Sequence, residues 1–224
     1  EEDLFSAEIE IVPSGRARDF GLDKSMIMGY GQDDRVCAFT ALNAILDVNN
    51  PKTTSICMLV DKEEIGSVGA TGMSSKFFEN SIAEIMNLAG QYNELDMRRA
   101  LNKSRMLSSD VTAGFDPNYP TPMNEKTDAY LCRGIAFNKY TGSRGKYDAN
   151  DANPEFIAKL RNILDNDNVF YQATEMGKVD AGGGGTIAYI MAGYGMEVID
   201  AGVPLLNMHA PWEIASKVDI YESY

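Results

Sequence analysis

The sequence predicts an α/β fold, a three-layer sandwich in which helices flank a largely parallel central sheet. Short apolar runs at residues 56–60, 135–137, 169–171 and 198–199 have the length and flanking turn residues of buried strands. Between them lie segments whose apolar residues recur every three or four positions, the period of a helix that covers a sheet with one face. No internal repeat or low-complexity stretch breaks this alternation.

Taken in order, Phe5, Ala7, Ile9 and Ile11 alternate with Ser6, Glu8 and Glu10, the pattern of a half-buried strand closed by Pro13-Ser14-Gly15. Residues 36–48 are apolar on almost every face (Val36, Cys37, Phe39, Leu42, Ile45, Leu46) and read as a buried helix. Asp33 and Asp34 stand at its start, where capping accounts for one carboxylate but not for both. The run Ile56-Cys57-Met58-Leu59-Val60 is a strand that ends at Glu63 and Glu64. Ser74-Ser75 can cap a helix carrying Phe77, Phe78, Ile82, Ile85, Met86 and Ala89, with Gly90 as its stop. A short helix near Leu95 to Leu101 leads to a strand at 106–110 that ends in Asp110.

Residues 114–128, rich in Pro, Asn, Gly and Thr, form a loop long enough to serve as a site wall. Ile135-Ala136-Phe137 is a strand, and 140–153 is polar and loop-like. Asn153-Pro154 opens a helix with Phe156, Ile157, Leu160, Ile163 and Leu164 on one face. After the strand at 169–171, Gly182 to Gly185 open a helix through Ile187, Tyr189, Ile190 and Met191. Its N-terminus could hold an anion or a carbonyl oxygen, although there is neither a Walker lysine nor G-x-G-x-x-G. Val198-Ile199 is the last strand, and 212–224 a final helix.

Composition narrows the function. The 224 residues are 44% hydrophobic and 24% charged, ordinary for a chain with a substantial core. A formal charge of −13 argues against nucleic acid or an anionic membrane surface as the main partner, since both require a basic face. Cys37, Cys57 and Cys132 are odd in number and far apart in apolar segments; they read as core residues in a reducing, cytoplasmic compartment. No apolar run approaches the roughly 20 residues that span a bilayer, and no signal-peptide pattern opens the chain, so a soluble protein is expected. Glu1 in place of a methionine, and Tyr224 inside the expected final helix, read as a piece of a longer polypeptide.

The chemistry concentrates at element ends. Neighbouring side chains on extended backbone point to opposite sides, so Glu63 and Glu64 suit different tasks, one binding a metal and the other handling a proton. Taken alone the pair is a solvated acidic turn, and the lone His209 a hydrogen-bonded structural residue. In a parallel α/β sheet, however, loops at the strand ends converge on one crevice, which brings Asp33, Glu63, Glu64, Asp110 and His209 together.

The motifs Gly31-Gln32-Asp33-Asp34-Arg35-Val36-Cys37-Ala38, Asp61-Lys62-Glu63-Glu64-Ile65-Gly66-Ser67, Ser108-Ser109-Asp110-Val111, the glycine run before Thr186, and Asn207-Met208-His209-Ala210-Pro211-Trp212-Glu213 together resemble the M18 family of dinuclear zinc aminopeptidases. Lys62 before the glutamates and Met208-His209-Ala210-Pro211 resemble the bacterial and yeast vacuolar branch more than the aspartyl-aminopeptidase branch.

The resemblance implies two divalent metal ions, zinc first and cobalt or manganese as substitutes. Asp33 would bridge them, Glu64 and His209 would complete one site, Asp110 would belong to the other, and Glu63 would be the general base. It further implies peptide substrates with a neutral or apolar N-terminal residue, an acidic preference being the fallback, and a dodecameric homo-oligomer. Residues 1–22 would be the end of an inserted dimerisation domain and 23–224 the C-terminal part of the catalytic domain. The family pattern has a second histidine ligand, and this chain has a single histidine. Two competing expectations follow: a non-catalytic assembly fragment, and, less favoured, a serine hydrolase built on Ser67.

Overall fold

The computed structural model describes residues 2–224. Its elements are α1 (Glu2–Ser6), β1 (Arg18–Phe20), β2 (Met26–Gly29), α2 (Gln32–Asp47), a 3-10 turn (Glu63–Ile65), α3 (Phe77–Leu88), α4 (Glu94–Lys103), β3 (Arg105–Ser108), β4 (Thr112–Ala113), β5 (Ile135–Asn138), α5 (Pro154–Asp167), β6 (Tyr171–Thr174), α6 (Ala188–Ala192), β7 (Glu197–Gly202), β8 (Pro204–Leu206), β9 (Glu213–Ser216) and α7 (Lys217–Ser223). The strands form two sheets, one in the order β3-β7-β5-β6 and the other β1-β2-β9-β8-β4. The expected α/β class is the one found, but both sheets are mixed. In the first, β3 with β7 and β5 with β6 are parallel, while β5 and β7 run antiparallel. In the second only β4 and β8 are parallel.

The two sheets meet where β7 gives way to β8 across Val203, which is fully buried. Gly202 permits this: a Cβ there would lie 1.8 Å from the Asp110 carbonyl oxygen. Any larger residue would push the Asp110 segment away from the end of β7. Apolar side chains fill three cores. Phe78, Met97, Leu101, Met191 and Val198 join α3, α4 and α6 to β7. Val36, Cys37, Val111, Leu205 and Ala215 pin α2 to β8 and β9. Phe137, Phe156 and Ile199 seat α5 on β5 and β7. Each of the Val, Leu, Ile, Phe and Met side chains among them, once buried, contributes about 1.5–3 kcal/mol.

Several sequence expectations are corrected. Residues 5–12 are not a strand: the helical turn α1 gives way to irregular, exposed chain in which Phe5 and Ile11 find no sheet to pack on. Residues 56–60 run without a ladder partner along a groove of about 1100 Å³ between α2 and β3, so their apolar pattern produces no strand. α2 is helical as expected but not buried all round, because only Val36, Cys37 and Thr40 turn beneath it while Phe39 and Leu46 face outward. The expected final helix is divided: Glu213–Ser216 pair with β2 and β8, and the helix starts only at Lys217. The strand expected at 169–171 begins at Tyr171. Of the three cysteines, all free, only Cys37 is buried and Cys132 is exposed.

Other expectations hold. Ser75 Oγ accepts the Phe77 amide at the start of α3, and Pro154 opens α5. Asn153 flanks that proline but does not cap with its side chain, which instead donates to Glu197. The loop at 114–128 is tied down by Asp128, whose carboxylate accepts the Asn124 and Gly177 amides. No helix among the described residues is long and apolar enough to cross a membrane.

Candidate metal centre

The centre starts at the entrance to α2. Gly31, with φ 66°, turns the chain in; a Cβ there would lie 2.5 Å from the Arg35 guanidinium. The next carboxylates, Asp33 and Asp34, have backbone angles outside the helical region, and no side chain caps the helix. Capping therefore explains neither. Asp33 instead turns inward, its side chain 6% exposed.

The 3-10 turn presents the two glutamates. Lys62 at φ 65° and Gly66 at φ 99° bracket it, and Gly66 and Ser67 donate their amides to the carbonyls of Glu63 and Lys62. Glu64 reaches the imidazole: His209 Nε2 lies 3.3 Å from Glu64 Oε2 and 2.9 Å from Asp33 Oδ2. One ligand atom each from Asp33, Glu64 and His209 falls within 4.8 Å of the others. A second group, Asp33, Asp34 and Asp110, meets the same limit. Asp33 is the residue common to both. Glu63 belongs to neither, yet it faces the cluster, since its charge raises the carboxyls of Asp110 and Asp34.

Crowding of like charges dominates the electrostatics. Burial, then the charge of Glu64, pushes the Asp33 carboxyl up to about 7, against the opposing pull of His209. Burial likewise pushes Asp34 up to about 7, against a hydrogen bond with Cys37. Asp110 is driven well above the usual carboxylate range by burial and by Asp34 and Glu63, and Glu63 is raised by burial and Glu64. Asp34 Oδ1 is buried without a hydrogen-bond partner. A buried unpartnered oxygen among crowded carboxylates is what a divalent cation relieves, and a carboxylate set with an imidazole is within the range of zinc. The residues present fit such an ion. Asp33 forms a covered floor, whereas Glu64 at 57% and His209 at 63% side-chain exposure form an open lip.

All five residues expected from the sequence come to one place. Three that matter were missed in that reading. The sequence offers Asp34 only as a cap beside Asp33. Glu213, 2% exposed, joins the backbones of Asp33 and His209, and its spacing of four residues from His209 was the available signal. Asp200, at the end of the expected strand, is buried with one oxygen on the Thr186 hydroxyl and the other unpartnered. The glycine run offers no open anion site, because Thr186 Oγ1 already accepts the Ala188 amide at the start of the five-residue α6. Ser67 is buried, and the lone imidazole is engaged by carboxylates, which removes the serine-hydrolase reading. The 114–128 loop adds no side chain to either carboxylate group.

A family model described as aminopeptidase I zinc metalloprotease (M18) matches residues 1–224. The chain belongs to the M18 family. A probable M18 family aminopeptidase 1 from Clostridium acetobutylicum is 66% identical over 223 residues, covering 100% of this chain and 48% of the relative. The crystal structure of aminopeptidase I from that organism superposes with a TM-score of 0.91 at 65% identity, over 99% of this chain and 48% of that one. An M18 aminopeptidase from Thermotoga maritima superposes with a TM-score of 0.90 at 43% identity, over 95% of this chain and 47% of that one. The chain thus spans about half the length of the M18 relatives it matches.

Proposed function

We propose that this chain carries the greater part of the metal centre of an M18 aminopeptidase that removes the N-terminal residue of peptides. The observation that carries the reading is the sharing of Asp33 between two ligand groups, which suits a carboxylate that bridges two ions. Glu64 and His209 would complete one site and Asp110 the other, with Asp34 against Asp110. When bound, two such cations lower the pKa of a shared water and polarise the scissile carbonyl. Zinc is the proposed metal, in keeping with the family's description.

Glu63 is the group free to move a proton. It faces the cluster without joining either ligand set, and burial beside Glu64 raises its carboxyl toward working pH. It would take the water's proton and return it to the leaving amine. The exposed lip at Glu64 and His209 leaves room for a peptide end to approach. An intact carboxylate cluster speaks against a non-catalytic fragment. The proposed substrate end is a neutral or apolar N-terminal residue, with an acidic one as the fallback.

The Asp110 group contains no histidine, and the chain has no second one. The other half of the polypeptide, as long again in the relatives, would supply that ligand. The apolar groove between α2, residues 53–60 and β3 is wide enough to receive part of it. Residues 1–22 would close an inserted dimerisation domain, with Arg18–Phe20 already paired to β2, and 23–224 would be the C-terminal part of the catalytic domain. A homo-oligomer is proposed on the same family likeness.

Elemental analysis of the full-length protein tests the reading. Zinc near two per chain is expected, falling to about one in Glu64→Ala and close to none in Asp33→Asn. Equal zinc in the parent and Asp33→Asn would end it.

A further inference from the structure

Glu213 is the first residue of β9 and is 2% exposed, in a fully buried strand. Its two carboxylate oxygens are divided between two distant parts of the chain. Oε2 accepts the Asp33 amide at 3.0 Å, and Oε1 accepts the His209 amide at 2.8 Å. The Glu213 carbonyl takes a further bond from Gln32 Nε2 at 2.6 Å, so the residue before Asp33 is anchored to the same point.

Both clients need such anchoring. His209 has φ 65° and Asn207 φ 59°, left-handed conformations that cost a non-glycine residue about 1–2 kcal/mol each. Asp33 sits in non-helical backbone at a helix entrance. The His209 loop has a single turn bond, from the Ala210 amide to the Asn207 carbonyl, and the Glu213 carboxylate spans it and the Asp33 backbone. The two amides approach different oxygens of one planar group. Glutamate supplies both, whereas glutamine would turn its NH₂ against one of the donors.

Burying another acid beside an already crowded cluster is unfavourable unless its bonds are needed. We propose that Glu213 is a positioning residue of the metal centre, setting the separation of Asp33 and His209 through their backbones before any ion arrives. This rests on the metal-centre reading above.

A merely structural clamp has to be told apart from a positioning residue, and the protein contains its own control. Asp219, also fully buried, accepts the Cys132 and Gly134 amides at 2.7 Å each and belongs to neither ligand group. In the full-length protein, Glu213→Gln and Asp219→Asn are compared by thermal melting, by zinc affinity in competition with a chelator, and by the visible spectrum of bound Co²⁺. Both variants are expected to melt lower. Only Glu213→Gln should bind zinc about 10–100-fold more weakly and change the cobalt spectrum. Parental zinc affinity and an unchanged spectrum in Glu213→Gln overturn the proposal, as do equal affinity losses in both variants. A parent that binds no zinc overturns the metal-centre reading, and this inference with it.

Discussion

His209 Nε2 lies 2.9 Å from Asp33 Oδ2, so an imidazole from the last third of the chain and a carboxylate from its first third share one point in space. The contact is held from behind by the Glu213 carboxylate, which accepts both backbone amides. Glu64 approaches the same imidazole at 3.3 Å. If these groups hold one ion jointly, His209→Ala and Glu64→Ala lose the same ion. The double variant is then expected to carry as much zinc as either single variant, about one per chain in the full-length protein. Additive loss, measured by elemental analysis, would show that the two residues serve different ions.

Glu63 and Glu64 are neighbours with separable tasks. Glu64 lies within the ligand group and Glu63 outside it. Glu63→Gln keeps the size of the side chain but not its basicity. In the full-length enzyme it should lower kcat by roughly 10²–10⁴-fold, the usual worth of a positioned acid–base group, with zinc content unchanged. Loss of metal together with rate would make Glu63 a ligand instead.

Asp200, which joins neither ligand group but whose charge acts on Asp110 and Glu63, gives a pH prediction. Burial pushes its carboxyl up to about 6, although the Thr186 hydroxyl bond works the other way. The folded state therefore holds a proton that the unfolded chain has released between about pH 4 and 6. Stability is fullest below that window and falls as pH rises through it, by about 1.4 kcal/mol per pH unit for one such group. Asp200→Asn imitates the protonated form. It should match the parent in urea unfolding at pH 4 and exceed it at pH 8; the same difference at both values would refute the assignment.

The side chains that the sequence singles out at segment ends do converge in space, whereas the strands around them are less legible. The expected site residues are charged or imidazole side chains at segment ends, and such side chains have few reasons to meet except chemistry. Strand identity was harder to read, because an apolar run becomes a strand only where a neighbour offers a ladder. Residues 56–60 lack one, and Phe5 and Ile11 have no sheet to cover. Residues 213–216 show the converse: β2 and β8 lie on either side of them and draw into a sheet what the periodicity assigned to a helix. Glu213 and Asp34 act through backbone amides and burial, for which the sequence offers only the four-residue spacing of Glu213 from His209.

Two glycines in the loop that carries Glu63 and Glu64 are constrained for different reasons, and this makes the loop testable. Gly69 has φ 78° with no atom within 4 Å of an added Cβ, so Gly69→Ala costs only the left-handed strain, about 1 kcal/mol. At Gly72 a Cβ would lie 2.3 Å from the carbonyl oxygens of Ser67 and Val68. These are backbone atoms with no rotamer by which to yield. The turn must move, and the Ser74 amide bond to Ser67 O moves with it. Overpacking of this kind costs about 1–3 kcal/mol. Gly69→Ala should lower Tm by about 2–4 °C and leave zinc affinity at the parental value. Gly72→Ala should lower both, because a displaced Ser67 drags Glu64 off the position it holds against His209. Zinc affinity unchanged in Gly72→Ala would mean that the 3-10 turn is held by its own hydrogen bonds, independently of the glycine loop that follows it.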